Sequence, residues 1–355
     1  MRRRDWLWLP LVLATRIGRT AVTYPRVTTG TRLEFPRDDG SHAAFRTEWW
    51  YVTAWLRLPD GQAIGCQVTF FRSRPGVAES LHSAFAPKQL LFAHAALADP
   101  RRGRLLHAQR AARSGFDLAS ASEDHLAVHI DDWSLESQGD AYRARVAARE
   151  FAIALEFRAT QALLLQGESG VSRKGPEPAE ASFYYSRPQL EVSGHIVLDE
   201  RALTVTGTAW LDHEWSSEIL APQARGWDWI GINLDDGGAL MAFRIRDQRG
   251  GALWAGATLR DASGRSQVYS PAEVHFDVLR RWRSPRTGIA YPVAFAVRVG
   301  SLAIRLEPLM DDQELDARAS VGIVYWEGAV RALADAGPIG HGYLELTGYG
   351  ERPRV

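Results

Sequence analysis

Cysteine is nearly absent: Cys66 is the only one in 355 residues, so no disulfide can form within the chain. Its setting, AIGCQVTFF, suits a small buried side chain and leaves the redox compartment open. Excess charge of either sign is also missing. Lys plus Arg and Asp plus Glu both total 42, so no net field gathers polyanions, and nucleic acid is excluded as an expected partner. There is no Gly-rich phosphate loop, no G-x-S-x-G elbow, no H-E-x-x-H pair and no zinc-knuckle spacing, which removes the usual nucleotide, serine-hydrolase and zinc-protease chemistries. No cofactor and no metal are expected. Long apolar runs are scarce too. The run Trp6 to Ala14 follows a basic start and is too short to span a bilayer. It suits an export signal, although Arg16 and Arg19 interrupt the cleavage site. Residues 1–23 are read as a signal or unstructured segment and the protein as exported to the periplasm or secreted, with peripheral membrane or transporter association as a further option.

Aromatic residues are abundant. Thirteen Trp, 13 Phe and 10 Tyr against three Met describe interiors built from rigid plates that also suit flat apolar ligands. A small apolar molecule is therefore the expected partner. The oligomeric state is left open.

Two-residue alternation runs through HLAVHIDDWSLES, YRARVAAREFAIALEFRAT and IAYPVAFAVRVGSLAIRLE, marking strands with one buried face. Asp60-Gly61, Asp236-Gly237, Gly250-Gly251 and Ser263-Gly264 separate such runs, as hairpin turns require. Helical patterning is confined to Ala78 to Leu97 and Gly328 to Asp335. The stretches WWYVTAWLRLPDGQAIGCQVTFFR and WDWIGINLDDGGALMAFRIR share a layout of Trp-rich strand, Asp-Gly turn and apolar strand, which points to a duplicated β unit. GESGVSRKGPEPAEAS, rich in Gly, Pro and charge, reads as the connection between the copies. The expected fold is all-β: two antiparallel β-barrel domains packed side by side, at 24–180 and 181–355, with few short helices.

Three clusters carry candidate chemistry. In FPRDDGSHAAFRTEWWY, Glu48 shares a strand face with Trp50, while Trp49 and Tyr51 point the other way. A buried carboxyl there would have a raised pKa and act as a proton donor, or else pair with Arg46 or Arg37. In GTAWLDHEWSSEIL, Trp210, Asp212 and Glu214 have one parity and Leu211, His213 and Trp215 the other. An imidazole flanked by carboxylates suits proton transfer, and the cluster holds no histidine pair spaced for a metal. The third cluster sets Ser172, Arg173 and Lys174 ahead of Phe183, Tyr184 and Tyr185. Trp227 and Trp229 share a face and wall a cavity or a core.

FPRDDGSHAAFRTEWWYVTAWL, SRKGPEPAEASFYYSRPQLEVSG, AWLDHEWSS, GWDWIGINLDDGGALMAF and GHGYLELTGYG together resemble the AttH-like family of lipocalin-like proteins, from about Tyr24 onward. That family is often labelled as predicted secreted hydrolases and is related to the carotenoid 1,2-hydratases, or hydroxyneurosporene synthases. The resemblance implies two lipocalin-like β domains with the motifs near their interface, and it carries a His-x-Trp pair onto His213 and Trp215. Where the hydratases place a Tyr-x-Asp pair, this chain has Phe243 and Ile245. Proton delivery then falls to Asp212, Glu214 or Glu48. Hydration of an alkene needs a proton on one carbon and a stabilised cation on the other, which an acid beside indole faces supplies. The expected function is a hydratase-like lyase acting on a long terpenoid or lipid-like substrate between the barrels, with Asp212, His213, Glu214 and Glu48 catalytic. Trp49, Trp50, Tyr51, Trp210, Trp215, Trp227, Trp229 and Tyr185 are the expected binding residues. The alternatives are a non-catalytic exported lipid or metabolite carrier and a secreted hydrolase of unknown substrate.

Overall fold

Apolar alternation on both sides of so many short runs is satisfied by two antiparallel sheets lying against one another. A computed structural model describes residues 22–77, 79–218 and 220–353. The leader read at 1–23 lies outside the described residues apart from its last two.

The first sheet contains β1 (Thr47–Arg57), β2 (Ala63–Ser73), β3 (Leu90–Ala98), β4 (Leu106–Arg113), β5 (Ala119–Ala121), β6 (Ala127–Ile130) and β7 (Trp133–Gln138). It continues through β8 (Ala141–Ala147), β9 (Phe151–Arg158), β10 (Leu164–Leu165), β11 (Val171–Arg173), β12 (Ala181–Leu198) and β13 (Arg201–Ser216). The second holds β14 (Ala224–Leu234), β15 (Ala239–Asp247), β16 (Ala252–Arg260), β17 (Ser266–Tyr269) and β18 (Val274–Arg283). It is completed by β19 (Ala290–Val299), β20 (Leu302–Pro308), β21 (Glu314–Ala317), β22 (Ile323–Ala334) and β23 (Gly337–Thr347). Helix among the described residues is limited to single 3₁₀ turns at Arg37–Asp39, Pro100–Arg102 and Pro271–Glu273.

The sheets repeat one plan. The first runs β4-β3-β2-β1 and then steps to the late hairpin β13-β12; the second runs β17-β16-β15-β14 and steps to β23-β22. The two Trp-rich hairpins, β1–β2 and β14–β15, thus occupy equivalent places, and all four glycine-marked turns join neighbouring strands. Each sheet curls on itself. In the first, β3 and β4 reach β6, with Arg110 donating to the Ile130 carbonyl at 3.0 Å. In the second, β15 and β16 reach β18.

Three readings change. β12 and β13 complete the first sheet, so the break between sheets falls after Ser216 and not at 180/181. The long strands of a late hairpin bond back to β1 and β9, which a linker-like composition upstream of them does not reveal. GESGVSRKGPEPAEAS is accordingly no interdomain link: it contains β11, which pairs with β12. Neither helical reading holds: residues 79–89 are turns and loop, and residues 90–97 and 328–334 lie in strands. Leu90–Ala98 is β3, with Leu91, Ala93, Ala95 and Leu97 in the barrel core and Ala96 and Ala98 against the other sheet. Gly328 to Ala334 lies in β22. Strands buried on both faces lose the polar alternation that identifies them.

Three packed layers result. One barrel core gathers Trp50, Phe70, Trp133 and Phe157, the other Phe295, Trp326 and Leu344. Between the sheets lies a third, aromatic layer with Tyr51, Trp55, Tyr184, Trp210, Trp229, Phe243 and Tyr343. Gly65 lets the sheets approach there, since a Cβ on it would stand 2.7 Å from both the Ala329 Cβ and the Tyr343 hydroxyl.

Candidate active site between the two sheets

Strand parity divides the expected catalytic residues. Tyr51, Asp212 and Ser186 lie opposite one another on β1, β13 and β12, as do Trp49, Glu214 and Tyr184, and these face the second sheet. Trp50, His213 and Tyr185 form the alternate row, followed by Glu48, Trp215 and Phe183, and these face away from it. His213 therefore belongs with Glu48. It does not sit between Asp212 and Glu214 as one proton-transfer triplet, because successive side chains on a strand point to opposite faces.

On the far face, the fully buried Glu48 carboxylate is saturated with donors. Ser41 Oγ reaches it at 3.0 Å, the His42 backbone N–H at 2.9 Å, and Arg72 Nε at 2.7 Å. His42 Nδ1 lies 2.8 Å and His213 Nε2 2.9 Å from Oε1. Burial alone would raise the Glu48 pKa, but the contacts from His213 and His42 and the charge of Arg72 hold it well below the usual carboxylate value. The expected proton donor is thus a fixed anion. Its partner is Arg72, not Arg46 or Arg37; Arg37 bonds Asp38 instead. His42 is raised above its ordinary value: burial opposes this, and contacts to Asp38 and Glu48 outweigh it. His42 stacks on Trp215 at 3.7 Å, Trp50 stacks on His213 at 4.8 Å, and Tyr185 donates to Asp39 at 2.6 Å. Trp50, Trp215 and Tyr185 therefore build this ion network and not the interface.

The donor atoms of His42, Glu48 and His213 lie within 4.8 Å of one another, a spacing one metal ion could bridge. Arg72 on the second Glu48 oxygen adds a fixed positive charge beside that point, so the arrangement suits a shared proton better than a dication.

The face toward the second sheet has a different chemistry. Asp212 is buried; Trp210 Nε1 donates to Oδ1 at 2.6 Å, Tyr184 Oη to Oδ2 at 2.6 Å, and Ser186 Oγ also to Oδ1. Trp229 Nε1 donates in turn to Tyr184 at 3.0 Å. Burial pushes the Asp212 pKa up to about 7 despite the donors from Ser186, Tyr184 and Trp210. Glu214 has an opposite charge at hand: Lys174 Nζ is 2.9 Å away, and that ammonium also lies 4.3 Å from the centre of the Phe243 ring. Lys174, from the third sequence cluster, is buried beside the site.

Opposite stand two glutamates that motif reading overlooked. Glu327 on β22 and Glu345 on β23 are directly paired across strands. Burial, followed by the neighbouring Glu345 charge, drives Glu327 well above the usual range, and burial pushes Glu345 up to about 7. Trp227 Nε1 donates to Glu345 at 2.9 Å. Glu345 lies inside GHGYLELTGYG, and period-two reading of that motif would have set it beside Tyr343 and Thr347. Tyr51 faces this pair and is buried, with the Glu327 carboxyl beside its hydroxyl. Trp49, Tyr51, Trp210, Trp227 and Trp229 meet at the interface. Phe243 and Ile245 also face it, so the His-x-Trp pair, on the far side of β13, does not combine with those positions into one site. A cleft of about 460 Å³ opens at the other end of the interface, with Trp55 in its lining.

The AttH-like family model matches residues 26–349. The chain belongs to the AttH-like family. Among solved structures, a Nitrosomonas europaea protein provisionally named AttH is 51% identical, with a TM-score of 0.87 over 92% of this chain and 99% of its own. Kievitone hydratase from Nectria haematococca shares the fold at 13% identity, with a TM-score of 0.70 over 93% of this chain and 97% of its own. CghA, in a structure with Sch210972, shares it at 11% identity and a TM-score of 0.53, over 90% and 97%. A search of curated proteins finds no match. This AttH-like chain thus keeps a two-sheet fold also seen in proteins of very different sequence.

Proposed function

We propose that this AttH-like protein adds water across a carbon–carbon double bond of a long apolar substrate, terpenoid or lipid-like, held between the two sheets. The observation that carries the reading is Asp212: a buried carboxyl with a pKa near 7, set among the indoles and phenols of the interface. In the proposed step the Asp212 proton is added to one alkene carbon and the π electrons form the new C–H bond. The tertiary cation left on the other carbon is stabilised by the Trp210 and Trp229 faces, at up to about 2 kcal/mol each when desolvated. Water attacks that cation and loses a proton to the carboxylate, which restores the acid. The name of the kievitone hydratase neighbour agrees with this reaction type. Export, read from the basic start and the run Trp6 to Ala14, is part of the same proposal.

A second reading, a carrier for an apolar metabolite, draws on the three donors that already satisfy Asp212, because a purely structural network is satisfied in the same way. Incubation of the full chain with isoprenoid alkenes in ¹⁸O-labelled water, read by mass spectrometry, separates the two. The hydratase reading expects labelled tertiary alcohol that disappears in a folded Asp212→Asn variant. Bound but unchanged alkene with the wild type, or equal turnover in the variant, overturns it.

A further inference from the structure

Where β3 and β4 of the first sheet meet the β21–β22 hairpin of the second, a chain of hydrogen bonds crosses the interface. Gln109 on β4 donates its amide to the Asp316 carbonyl at 2.8 Å, which turns its Oε1 toward Ser320 in the hairpin turn. Ser320 Oγ has that oxygen at 2.6 Å and the Ala317 carbonyl at 3.2 Å. Both can only accept, so the single Ser320 proton is committed to them. His94 on β3 places Nε2 2.8 Å from Ser320 Oγ and Nδ1 2.7 Å from Tyr325 Oη. The ring is fully buried, and burial, with the His107 charge adding to it, lowers its pKa to about 3. Neutral imidazole carries one proton. Since Ser320 has spent its own, His94 Nε2–H donates to Ser320, and Nδ1 accepts from Tyr325.

Tyr325 has thereby used its proton too, and its oxygen can only accept. Beside it are the Gln67 amide and the Glu327 carboxyl, the latter two residues along β22 on the same face. The other titratable neighbours of Glu327 are Tyr51 of β1 and Glu345 of β23, with no cation among them. A carboxylate would set two bare oxygens against each other, whereas a carboxylic acid donates to Tyr325 and completes the chain. We infer that Glu327 holds a proton and that Tyr325, His94 and Ser320 form a relay carrying it between the aromatic layer and the half-buried Ser320. In one outward pass the Glu327 proton moves to Tyr325 Oη, the Tyr325 proton to His94 Nδ1, the Nε2 proton to Ser320 Oγ and the Ser320 proton to a solvent water. Glu327 ends as carboxylate, His94 as the Nδ1–H tautomer and the water as hydronium; the return pass reverses each hop. Tyr51 stands opposite Asp212 in the β1–β13 register, so the relay ends one phenol from the proposed acid. It rests on reading the interface as the reaction layer, to which it adds a solvent route for protons.

Infrared spectroscopy of the full chain at pH 6, transferred from H₂O to D₂O, tests it without any turnover. A carboxylic-acid C=O band is expected that disappears in Glu327→Gln. In Tyr325→Phe its deuterium shift should develop roughly tenfold more slowly or worse, because exchange then waits for local opening of the interface. Tyr51→Phe removes the other phenol beside Glu327 but lies off the chain, so it should leave the exchange rate as in the wild type. ¹⁵N NMR of the imidazoles needs no variant: His94 is expected as the Nε2–H tautomer. No band lost in Glu327→Gln, no slowing in Tyr325→Phe, equal slowing by both phenylalanine substitutions, or His94 found as the Nδ1–H tautomer overturns it. Failure of hydration with this exchange pattern intact removes the reaction and leaves the relay.

Discussion

Replacing Asp212 by Asn tests the electrostatic argument apart from any substrate. Its pKa is lifted from 3.8 to about 7, chiefly by burial, so the folded protein holds this proton more tightly than the unfolded chain does. The resulting stability is fully present below the unfolded value of 3.8 and is lost as pH climbs through about 7. Between pH 5 and pH 8 the wild type should lose about 2–3 kcal/mol on this account. Asn keeps the size and cannot titrate. It also misplaces an NH₂ among Ser186, Tyr184 and Trp210, a pH-independent offset of about 1–3 kcal/mol. Urea unfolding followed by tryptophan fluorescence at pH 5, 6, 7 and 8 should therefore show the stability difference, wild type minus variant, falling by about 2–3 kcal/mol from pH 5 to pH 8. Glu327 and Glu345 titrate in both proteins, so the difference between the curves isolates Asp212. A difference that stays constant, or that grows in the wild type's favour as pH rises, would refute the raised pKa and with it the acid role.

Glu48→Ala should cost about 3–5 kcal/mol at neutral pH, because buried Arg72, His42 and His213 lose their shared acceptor; denaturant unfolding reads this directly. The lowered Glu48 pKa has the opposite sign from that of Asp212: its contribution is present above the unfolded value of 4.5 and is lost only as pH falls through the depressed folded value. Gly65→Ala should destabilise by about 1–3 kcal/mol, since the new methyl group meets Ala329 and Tyr343 at the sheet-to-sheet contact. A thermal midpoint equal to the wild type's would show that the sheets have slack there.

Much of the fold was legible before any coordinates. The strand runs and all four glycine-marked turns follow from period-two patterning and positive-φ chemistry, which are local properties. The parity of Glu48 with Trp50, and of Asp212 with Glu214, was readable for the same reason. Where burial is two-sided the local signal fails: β3 and β22 lack a polar face, so they read as helix. The sheet break was also hidden, because the bonding of β13 to β1 spans the whole first domain. At the candidate site, Glu327 went unnoticed because nothing adjacent in sequence marks it; only pairing of β22 with β23 sets it beside Glu345.

The amino-acid order alone determined that the chain is a duplicated, aromatic-rich β protein, since alternation, turns and motif order are written in neighbouring residues. Tertiary structure decided which carboxyls are anions and which hold protons. Glu48 and Asp212 are both buried acids beside indoles, yet two imidazoles and a guanidinium gather on one while only neutral donors meet the other. Partners that set a pKa arrive from distant strands, and sequence separation carries no record of them.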